Sequence, residues 1–474
     1  MHLGLNENEN VLNERRITMQ NEEQIPEVSD IKDPEELSSS EDKAKFSLNG
    51  ATLYGINAVI GSGIFLLPRT IYQDLGPASL VAMLVDVLLV LMLAVCFAEV
   101  AGYFNKNGGA FQYAKAAFGD FVGFNVGILG WFVTIIAWAA MAAGFAKLLI
   151  QTFPSLEGQN TLISVLLIIF LSTINSMGIK TSKIFTITIT IAKLIPIIAF
   201  TLMSIFFIKN GIDAGNFTPF LQLNPDMTLS QAMASTSLTV FYAFIGFEAL
   251  PVVAGEMRNA KKNVPKAIIG SISIVSILYF MIIAGTIAML GMGILQSNAP
   301  VQDAFVEMVG PAGKWIISIG ALISIAGLNM GDSLMIPRYG ASISDEGLLP
   351  KIIAKKNGKG APIVAIIVSG LITIGFLLSG SFEQLAELSV VFRFFQYIPT
   401  ALALIWLRRK KMDTVPAFKL PLGPVIPVIS IVVSIWMVAA ANPVNLIAGL
   451  IGVIVASILY FVINKEKRPG ATQD

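Results

Sequence analysis

Two long apolar runs of this chain are interrupted by glycine near their middles. Residues 55–65 read GINAVIGSGIF, and residues 241–251 read FYAFIGFEALP. A glycine inside a helix costs about 1 kcal/mol relative to alanine. The first run places two glycines around Ser62. Small residues also let membrane helices pack closely, so this run alone fits packing and unwinding equally well.

Twelve apolar spans, these two included, cover most of the chain. They lie at residues 51–72, 79–103, 124–150, 161–178, 184–208, 231–255, 265–293, 314–337, 361–380, 384–407, 423–440 and 443–463. A helix of about 18 or more apolar residues crosses the roughly 30 Å hydrocarbon core of a bilayer. Helices and closed barrels alone can cross lipid, and runs of this length predict helices. We therefore expect an all-α integral membrane protein with twelve transmembrane helices over residues 51–463.

The composition excludes several classes of function. Hydrophobic residues make up 55% of the 474 residues and charged residues 13%, whereas a soluble domain carries roughly 25% charged residues. This excludes a soluble enzyme, and a net charge of +1 argues against a nucleic-acid partner. His2 and Cys96 are the only histidine and cysteine, so zinc sites and histidine acid–base chemistry lack their residues. We expect no enzyme activity, no cofactor and no metal.

The two ends of the chain are polar. Residues 1–50 hold 12 Asp and Glu against 5 Lys and Arg, which predicts a disordered acidic tail. Of the 32 Lys and Arg, 26 fall in this tail, in alternate loops and in residues 464–474. Because positive charge is retained on the cytoplasmic side, we expect a multi-pass protein of the cell membrane with both termini in the cytoplasm. A regulatory tail stays open beside a merely solvated one, which we favour.

The two interrupted spans are the first and the sixth, so they occupy corresponding positions in two five-helix halves. Interrupted helices at matching positions of an inverted repeat are the best sequence pointer to a binding site near the middle of the membrane. Their placement therefore favours unwinding over packing.

Unwinding exposes different backbone groups in the two spans. In the first, it frees N–H groups near Ser62, Gly63 and Ile64, at the positive end of the following half-helix, where a carboxylate binds well. In the sixth, it frees carbonyl groups that accept hydrogen bonds from an ammonium group. These carbonyls lie near Tyr242, Ala243 and Ile245. The two sets together recognise a zwitterion, and we expect an α-amino acid as the small-molecule substrate.

Four sequence elements resemble the amino acid–polyamine–organocation superfamily of permeases, over about residues 46–465. They are VIGSGIF (59–65), FYAFIGFE (241–248), GEMRN (255–259) with Pro265 after it, and PRYGASISDEGLLPK (337–351). The resemblance implies a five-plus-five inverted repeat of the leucine-transporter type with two further C-terminal helices. It also implies that the substrate carboxylate meets Val59, Ser62 and Gly63. The amino group would meet Tyr242, Ala243 and Ile245.

Lys193 lies midway through the fifth span, where a lysine costs at least about 3 kcal/mol and is a functional candidate by default. Desolvation disfavours the charged form of a lysine, which would let it exchange a proton near neutral pH. In proton-coupled members of the resembling superfamily, a lysine on this helix lies against the unwound part of the first span, near Gly61. The alternative is a permanent structural cation that binds carbonyls of the first span in place of sodium. We favour proton coupling.

Glu248 follows the break in the sixth span and has two open interpretations. It would carry a proton or gate the site as a carboxylic acid, or it would brace the unwound segment by accepting backbone hydrogen bonds. Phe247 beside it is a candidate gate that occludes the substrate. Asp332 and Arg393 also lie within spans but receive no role, and we interpret Lys147 as a snorkelling side chain.

These features predict a secondary active transporter that works by alternating access, in which spans 1, 2, 6 and 7 rock against a scaffold. Its partners are an amino acid, protons and the lipid bilayer. Apolar and small residues facing the breaks favour neutral amino acids, and energy comes from a proton gradient or from exchange. An amine or polyamine exchanger, a non-transporting amino acid sensor and a channel are the competing hypotheses.

Overall fold

The computed structural model describes residues 46–104, 109–178, 183–252, 257–410, 416 and 418–466. From Ser47 onward the described residues belong to one compact unit. Most of the predicted acidic tail, residues 1–45, lies outside the described residues, as do residues 467–474. The disorder expected for the acidic N-terminal tail and the cytoplasmic location expected for both tails stay predictions.

Within the described residues the secondary structure is helical, and no β-strand is present there. The α-helices are α1 Leu48–Val59, α2 Gly63–Leu66, α3 Pro68–Gln73, α4 Ser79–Ala101, α5 Ala110–Phe118, α6 Asp120–Thr152, α7 Asn160–Ser176, α8 Lys183–Asp213, α9 Leu229–Phe244, α10 Ala249–Val252, α11 Ala260–Leu290, α12 Pro300–Val309, α13 Ala312–Asp345, α14 Ile363–Ser379, α15 Phe382–Lys410, α16 Val425–Ala439 and α17 Pro443–Glu466. The all-α class predicted from the sequence is confirmed for this part of the chain.

Eight helices of the described ranges are long and apolar enough to cross a membrane. They are α4, α6, α8, α9 continued through its break to Pro251, α11, α13, α15 and α17. Three further apolar helices, α7, α14 and α16, have 17, 17 and 15 residues. These eleven helices correspond to eleven of the twelve predicted spans. The first predicted span does not form one continuous helix, because it is divided among α1, α2 and α3.

The helix bounds differ from the predicted spans in two ways. The predicted eighth span ends at Pro337, but α13 continues to Asp345 with this proline inside it. In addition, α5 and α12 lie between predicted spans. Each of these two short helices mixes polar and apolar residues, so neither stands out as an apolar run.

Of the interrupted helices, α1 packs against α8 and α11, and α9 packs against α4 and α15. Helix α11 packs against α1, α4 and α8, while α6 packs against α13 and α15. Buried aromatic rings of α4, α9 and α15 meet beside the second break, with Phe97 5.3 Å and Phe241 6.0 Å from the Tyr397 ring centroid. By contrast, α17 lies at the periphery, and large apolar side chains such as Leu450 are more than half exposed there, as lipid-facing residues would be.

Candidate functional site

The first break lies between α1 and α2. Helix α1 ends at Val59, and Ile60 is extended with φ −73° and ψ 102°. Among the described residues, the backbone N–H groups of Ser62, Gly63 and Ile64 have no backbone acceptor. The chain then resumes a helical course, which is divided at Pro68 because proline has no N–H to donate. The first break thus leaves the predicted N–H groups available.

The second break lies between α9 and α10. Helix α9 ends at Phe244, Ile245 is extended, and Gly246 has φ +128°, a conformation that favours glycine. In the described part of the chain, the carbonyl groups of Ala243 and Ile245 receive no backbone N–H. The Tyr242 carbonyl differs, because it accepts the N–H of Ile245 at 3.3 Å. Two of the three predicted carbonyls are therefore available to a ligand.

The fold brings the two breaks into contact. The hydroxyl oxygens of Ser62 and Tyr242 are 3.2 Å apart. A Cβ atom built on Gly63 would lie 2.9 Å from the Ala243 Cα, and one on Gly246 would lie 2.1 Å from the Ala58 carbonyl oxygen. Larger residues at these two glycines would push the breaks apart. Groups suited to a carboxylate and groups suited to an ammonium ion therefore lie side by side.

The carbonyl end of α1 is held by three side chains from other helices. Lys193 of α8 donates to the carbonyl oxygens of Asn57 and Ile60, both at 2.7 Å. Tyr279 of α11 donates to the Val59 carbonyl at 3.3 Å, and Ser324 of α13 donates to the Ile60 carbonyl at 3.4 Å. These bonds satisfy acceptors that the broken helix leaves without intrahelical partners.

Lys193 is fully buried, and in the described ranges it forms no ion pair with a carboxylate. The carbonyl end of a helix carries a partial negative charge that favours a cation. The α1 carbonyls therefore offset part of the cost of burying the ammonium group. The lysine contacts Ile60, the residue before Gly61, so the structure places it against the unwound segment.

Glu248 is bonded on three sides. Its Oε1 lies 2.7 Å from Nη1 of Arg393, and its Oε2 accepts from the Tyr397 hydroxyl at 2.8 Å and from the Gly246 N–H at 3.1 Å. The geometry is that of a brace that ties the second break to α15. Arg393 and Tyr397 were not assigned from the sequence, although their spacing of four places them on one face of a helix.

Phe247 is fully buried beside this brace. Its ring centroid lies 5.7 Å from that of Phe97 and 5.3 Å from that of Tyr397. Aromatic residues of α4 and α15 thus enclose it in the present arrangement. A gating role for this ring would require it to leave the aromatic cluster.

Residues of α6 and α15 cover the opposite side of the site. Phe382 packs edge-on against Tyr242 with centroids 5.8 Å apart, and a Cβ built on Gly144 would lie 3.1 Å from the Ser62 Cβ. Lys147 forms an ion pair with Glu383, and its Nζ is 5.8 Å from the Phe382 ring centroid. The snorkelling expected for Lys147 stays a prediction, to which the structure adds a partner distant in sequence for its charge.

Comparison with known proteins identifies the family. The family described as "Amino acid permease" matches residues 46–463. A methylthioribose transporter of Bacillus subtilis is 26% identical over 466 residues, which cover 92% of this chain and 97% of that protein. A serine/threonine exchanger of the same organism is 27% identical over 410 residues, covering 84% and 91%. An uncharacterized transporter of Mycobacterium tuberculosis is 30% identical over 422 residues, covering 83% and 86%.

These matches extend along nearly the whole apolar region and confirm the resemblance drawn from the four sequence elements. Two of these relatives are named as transporters and one as an exchanger, and none as an enzyme. Together with the apolar helices, they identify a multi-pass membrane protein of the transporter type that takes a small-molecule substrate. The chain belongs to the amino acid permease family.

Proposed function

We propose that this protein is a secondary active transporter of neutral α-amino acids in the cell membrane. The observation that carries the proposal is the contact between the two helix breaks, where the Ser62 and Tyr242 hydroxyl oxygens are 3.2 Å apart. The N–H groups of Ser62, Gly63 and Ile64 would bind the substrate carboxylate, with Val59 beside them. The carbonyls of Ala243 and Ile245 would accept from its ammonium group, and Tyr242 would position Ser62.

The proposed topology has twelve crossings, with both termini in the cytoplasm. Eight long helices, three shorter apolar helices and the divided segment from α1 to α3 supply them. A helix of 17 residues such as α7 is about 25 Å long, close to the hydrocarbon thickness. Spans 1–5 and 6–10 form the two halves of the inverted repeat, so α1 and α9 are corresponding elements.

Alternating access requires the site to be exposed to one side at a time. Residues 61–68 are all buried, whereas Ala58, Ile245 and Glu248 on the other side of the breaks are part-exposed. With the N-terminus in the cytoplasm, this difference corresponds to a state that is closed towards the outside. Phe382 and the Lys147–Glu383 pair would form the outer closure, and Phe247 would move over the substrate as an inner gate.

Proton coupling would act through Lys193, with Glu248 as a second proton carrier. The charged Lys193 ties α1 to α8 through two hydrogen bonds of 2.7 Å. Charge-assisted hydrogen bonds are roughly twice as strong as neutral ones, so loss of the proton would loosen α1 from α8. Protonation would then bias the equilibrium between the two orientations of the moving helices.

Exchange of one amino acid for another is the second candidate mechanism. It is favoured by the similarity to the serine/threonine exchanger and leaves Lys193 as a permanent structural cation. An exchanger of amines or polyamines, and a sensor that binds without transport, are weaker alternatives. Each of them predicts a different result in the same transport assay.

The test is uptake of labelled neutral amino acids into proteoliposomes, with and without an inward proton gradient. We expect saturable uptake that the gradient stimulates, and we expect Lys193→Ala to lose this stimulation while it retains counterflow. Lys209→Ala, an exposed lysine on the same helix, is the matched control and should behave as wild type.

Other outcomes are equally informative. Uptake that ignores the gradient but requires internal amino acid would establish an exchanger and exclude proton coupling through Lys193. Absence of saturable amino acid uptake under both conditions would overturn the proposal and leave the amine exchanger or the sensor.

A further inference from the structure

A mostly apolar groove runs between α7 and α14, away from the two helix breaks. Its walls include Ile169, Thr173 and Ser176 on α7, and Ile367, Gly370 and Leu371 on α14. Beside the groove, the same two helices carry large apolar side chains that are more than half exposed, such as Phe170 and Leu378. Because both helices are proposed membrane spans, these exposed side chains would face lipid, and the groove would open to acyl chains.

The size of the groove favours a lipid chain over a protein helix as its occupant. Its volume is about 250 Å³. One turn of an α-helix with its side chains, about 10 Å across and 5.4 Å long, needs more room than this. A Cβ atom built on Gly370 would lie 3.3 Å from the Ser172 Oγ, so α7 and α14 approach closely at this glycine. The groove is therefore narrow, and a single acyl chain matches it.

A basic loop lies at one end of the groove. Three exposed lysines belong to this loop, which precedes α14: Lys355, Lys356 and Lys359. Asn357 of the same loop donates to the Ser176 carbonyl at 2.7 Å. A Cβ atom built on Gly178, just after α7, would lie 3.0 Å from the Lys359 Cβ. Since Ser176 is also part of the groove wall, these contacts place the lysines at the mouth of the groove.

The positive charge at this mouth is not neutralised by the protein. In the ranges that the structure describes, none of the three lysines forms an ion pair with a carboxylate. Helix α14 also begins here, because its first residue, Ile363, lines the groove. The N-terminus of a helix carries a partial positive charge that favours an anion. An anionic group is therefore favoured beside the apolar groove.

We infer that this groove binds an anionic phospholipid, with one acyl chain between α7 and α14 and the phosphate group at Lys355, Lys356 and Lys359. Basic pockets between membrane helices on the cytoplasmic side bind anionic headgroups, and the proposed topology places this loop on that side. A zwitterionic phospholipid with the same chains fits the groove but gains less from the lysines, because its headgroup also carries a positive charge. The site is separate from the helix breaks, so the inference does not depend on which substrate is transported.

The test uses two photoreactive lipids with identical acyl chains, one a phosphatidylglycerol and one a phosphatidylcholine. Each is added at the same low mole fraction to phosphatidylcholine vesicles that contain the full-length protein. Light releases N2 from a diazirine on the chain, and the resulting carbene inserts into a neighbouring C–H or O–H bond. Mass spectrometry of peptides then gives the ratio of phosphatidylglycerol to phosphatidylcholine labelling at each helix. We expect this ratio to be at least tenfold higher at α7 and α14 than at the peripheral helix α17.

Two variants separate the headgroup from the chain. Lys355→Gln/Lys359→Gln should bring the ratio at the groove close to that at α17, because each lysine near the membrane surface contributes about fivefold to anionic lipid binding. Lys262→Gln/Lys266→Gln, at two exposed lysines near the start of α11, is the matched control and should leave the ratio unchanged.

Thr173→Trp fills the groove and should reduce labelling of α7 and α14 by both lipids. Leu166→Trp, at an exposed position of α7 outside the groove, is its control and should not. The ratios do not depend on the amount or orientation of the inserted protein, since both leaflets contain the same lipids.

Three results would overturn this inference. Equal ratios at the groove and at α17 in the wild type would identify ordinary contact with surrounding lipid. A loss of preference as large in Lys262→Gln/Lys266→Gln as in Lys355→Gln/Lys359→Gln would identify a general effect of surface charge. Absence of label from α7 and α14, with α17 labelled, would show that protein, such as a second copy of this chain, covers the groove. The proposed transport function stands in each case, because the helix breaks are not part of the groove.

Discussion

At the scale of single residues, Gly246 is the position where backbone conformation and close contact coincide. Its φ is +128°, and a Cβ atom there would lie 2.1 Å from the Ala58 carbonyl oxygen. Gly246→Ala therefore introduces backbone strain, of order 1–3 kcal/mol, and also separates the two breaks. We expect at least a tenfold loss of uptake and a lower midpoint of thermal unfolding in detergent.

Gly215→Ala is the control for strain alone. Gly215 has φ +79°, but a Cβ atom built on it meets nothing within 4 Å. This variant should lose some stability and keep normal uptake. If Gly246→Ala transports as well as Gly215→Ala does, then contact between the breaks is not needed for transport.

At the scale of elements, the Glu248–Arg393 pair joins the second break to α15. The two side chains are only 14% and 5% exposed. Arg393→Met leaves a buried carboxylate without its cation, which costs about 3–5 kcal/mol of stability. The double variant Glu248→Gln/Arg393→Met removes both charges and should recover most of this loss. Thermal unfolding of the wild type, both single variants and the double variant completes the cycle.

The control for this buried pair is a solvent-exposed ion pair of the same protein. Lys115 and Asp120 are 3.5 Å apart, with side chains 37% and 66% exposed. Removal of such a pair should change stability by less than about 1 kcal/mol. Equal effects of Arg393→Met and Lys115→Met would contradict a bracing role for the buried pair.

The sequence predicted the helices and their breaks better than it predicted which side chains contact each other across helices. Long apolar runs and glycines are local signals, so the all-α class and the interruptions at Gly61 and Gly246 were accessible without a structure. The Tyr397–Glu248 hydrogen bond joins residues 149 positions apart, and no local pattern encodes such a contact. For the same reason, the pairing of Lys147 with Glu383 was missed. Both contacts depend on how helices are arranged around the site.

At the scale of the whole molecule, alternating access predicts that α1 moves against α13. The Tyr54 hydroxyl of α1 lies 3.7 Å from the Met335 sulfur of α13 in the present arrangement. A short cross-linker with two thiosulfonate groups forms a disulfide with each of two cysteines introduced at these positions and releases sulfinate, and it should hold this arrangement and abolish uptake. A reductant should restore uptake, and the buried native Cys96 should not interfere.

A second pair of cysteines tests whether loss of uptake comes from locking α1 to α13 or from general damage by the cross-linking reaction. A Cβ atom built on Gly370 of α14 would lie 3.3 Å from the Ser172 Oγ of α7, and both helices belong to the proposed stationary scaffold. Cross-linking at these two positions should leave uptake intact, because the two helices keep their relative arrangement throughout the cycle. Full uptake by the protein that is cross-linked through cysteines in place of Tyr54 and Met335 would show that α1 and α13 do not separate during transport. Substrate would then have to pass the breaks without the rocking motion of spans 1, 2, 6 and 7.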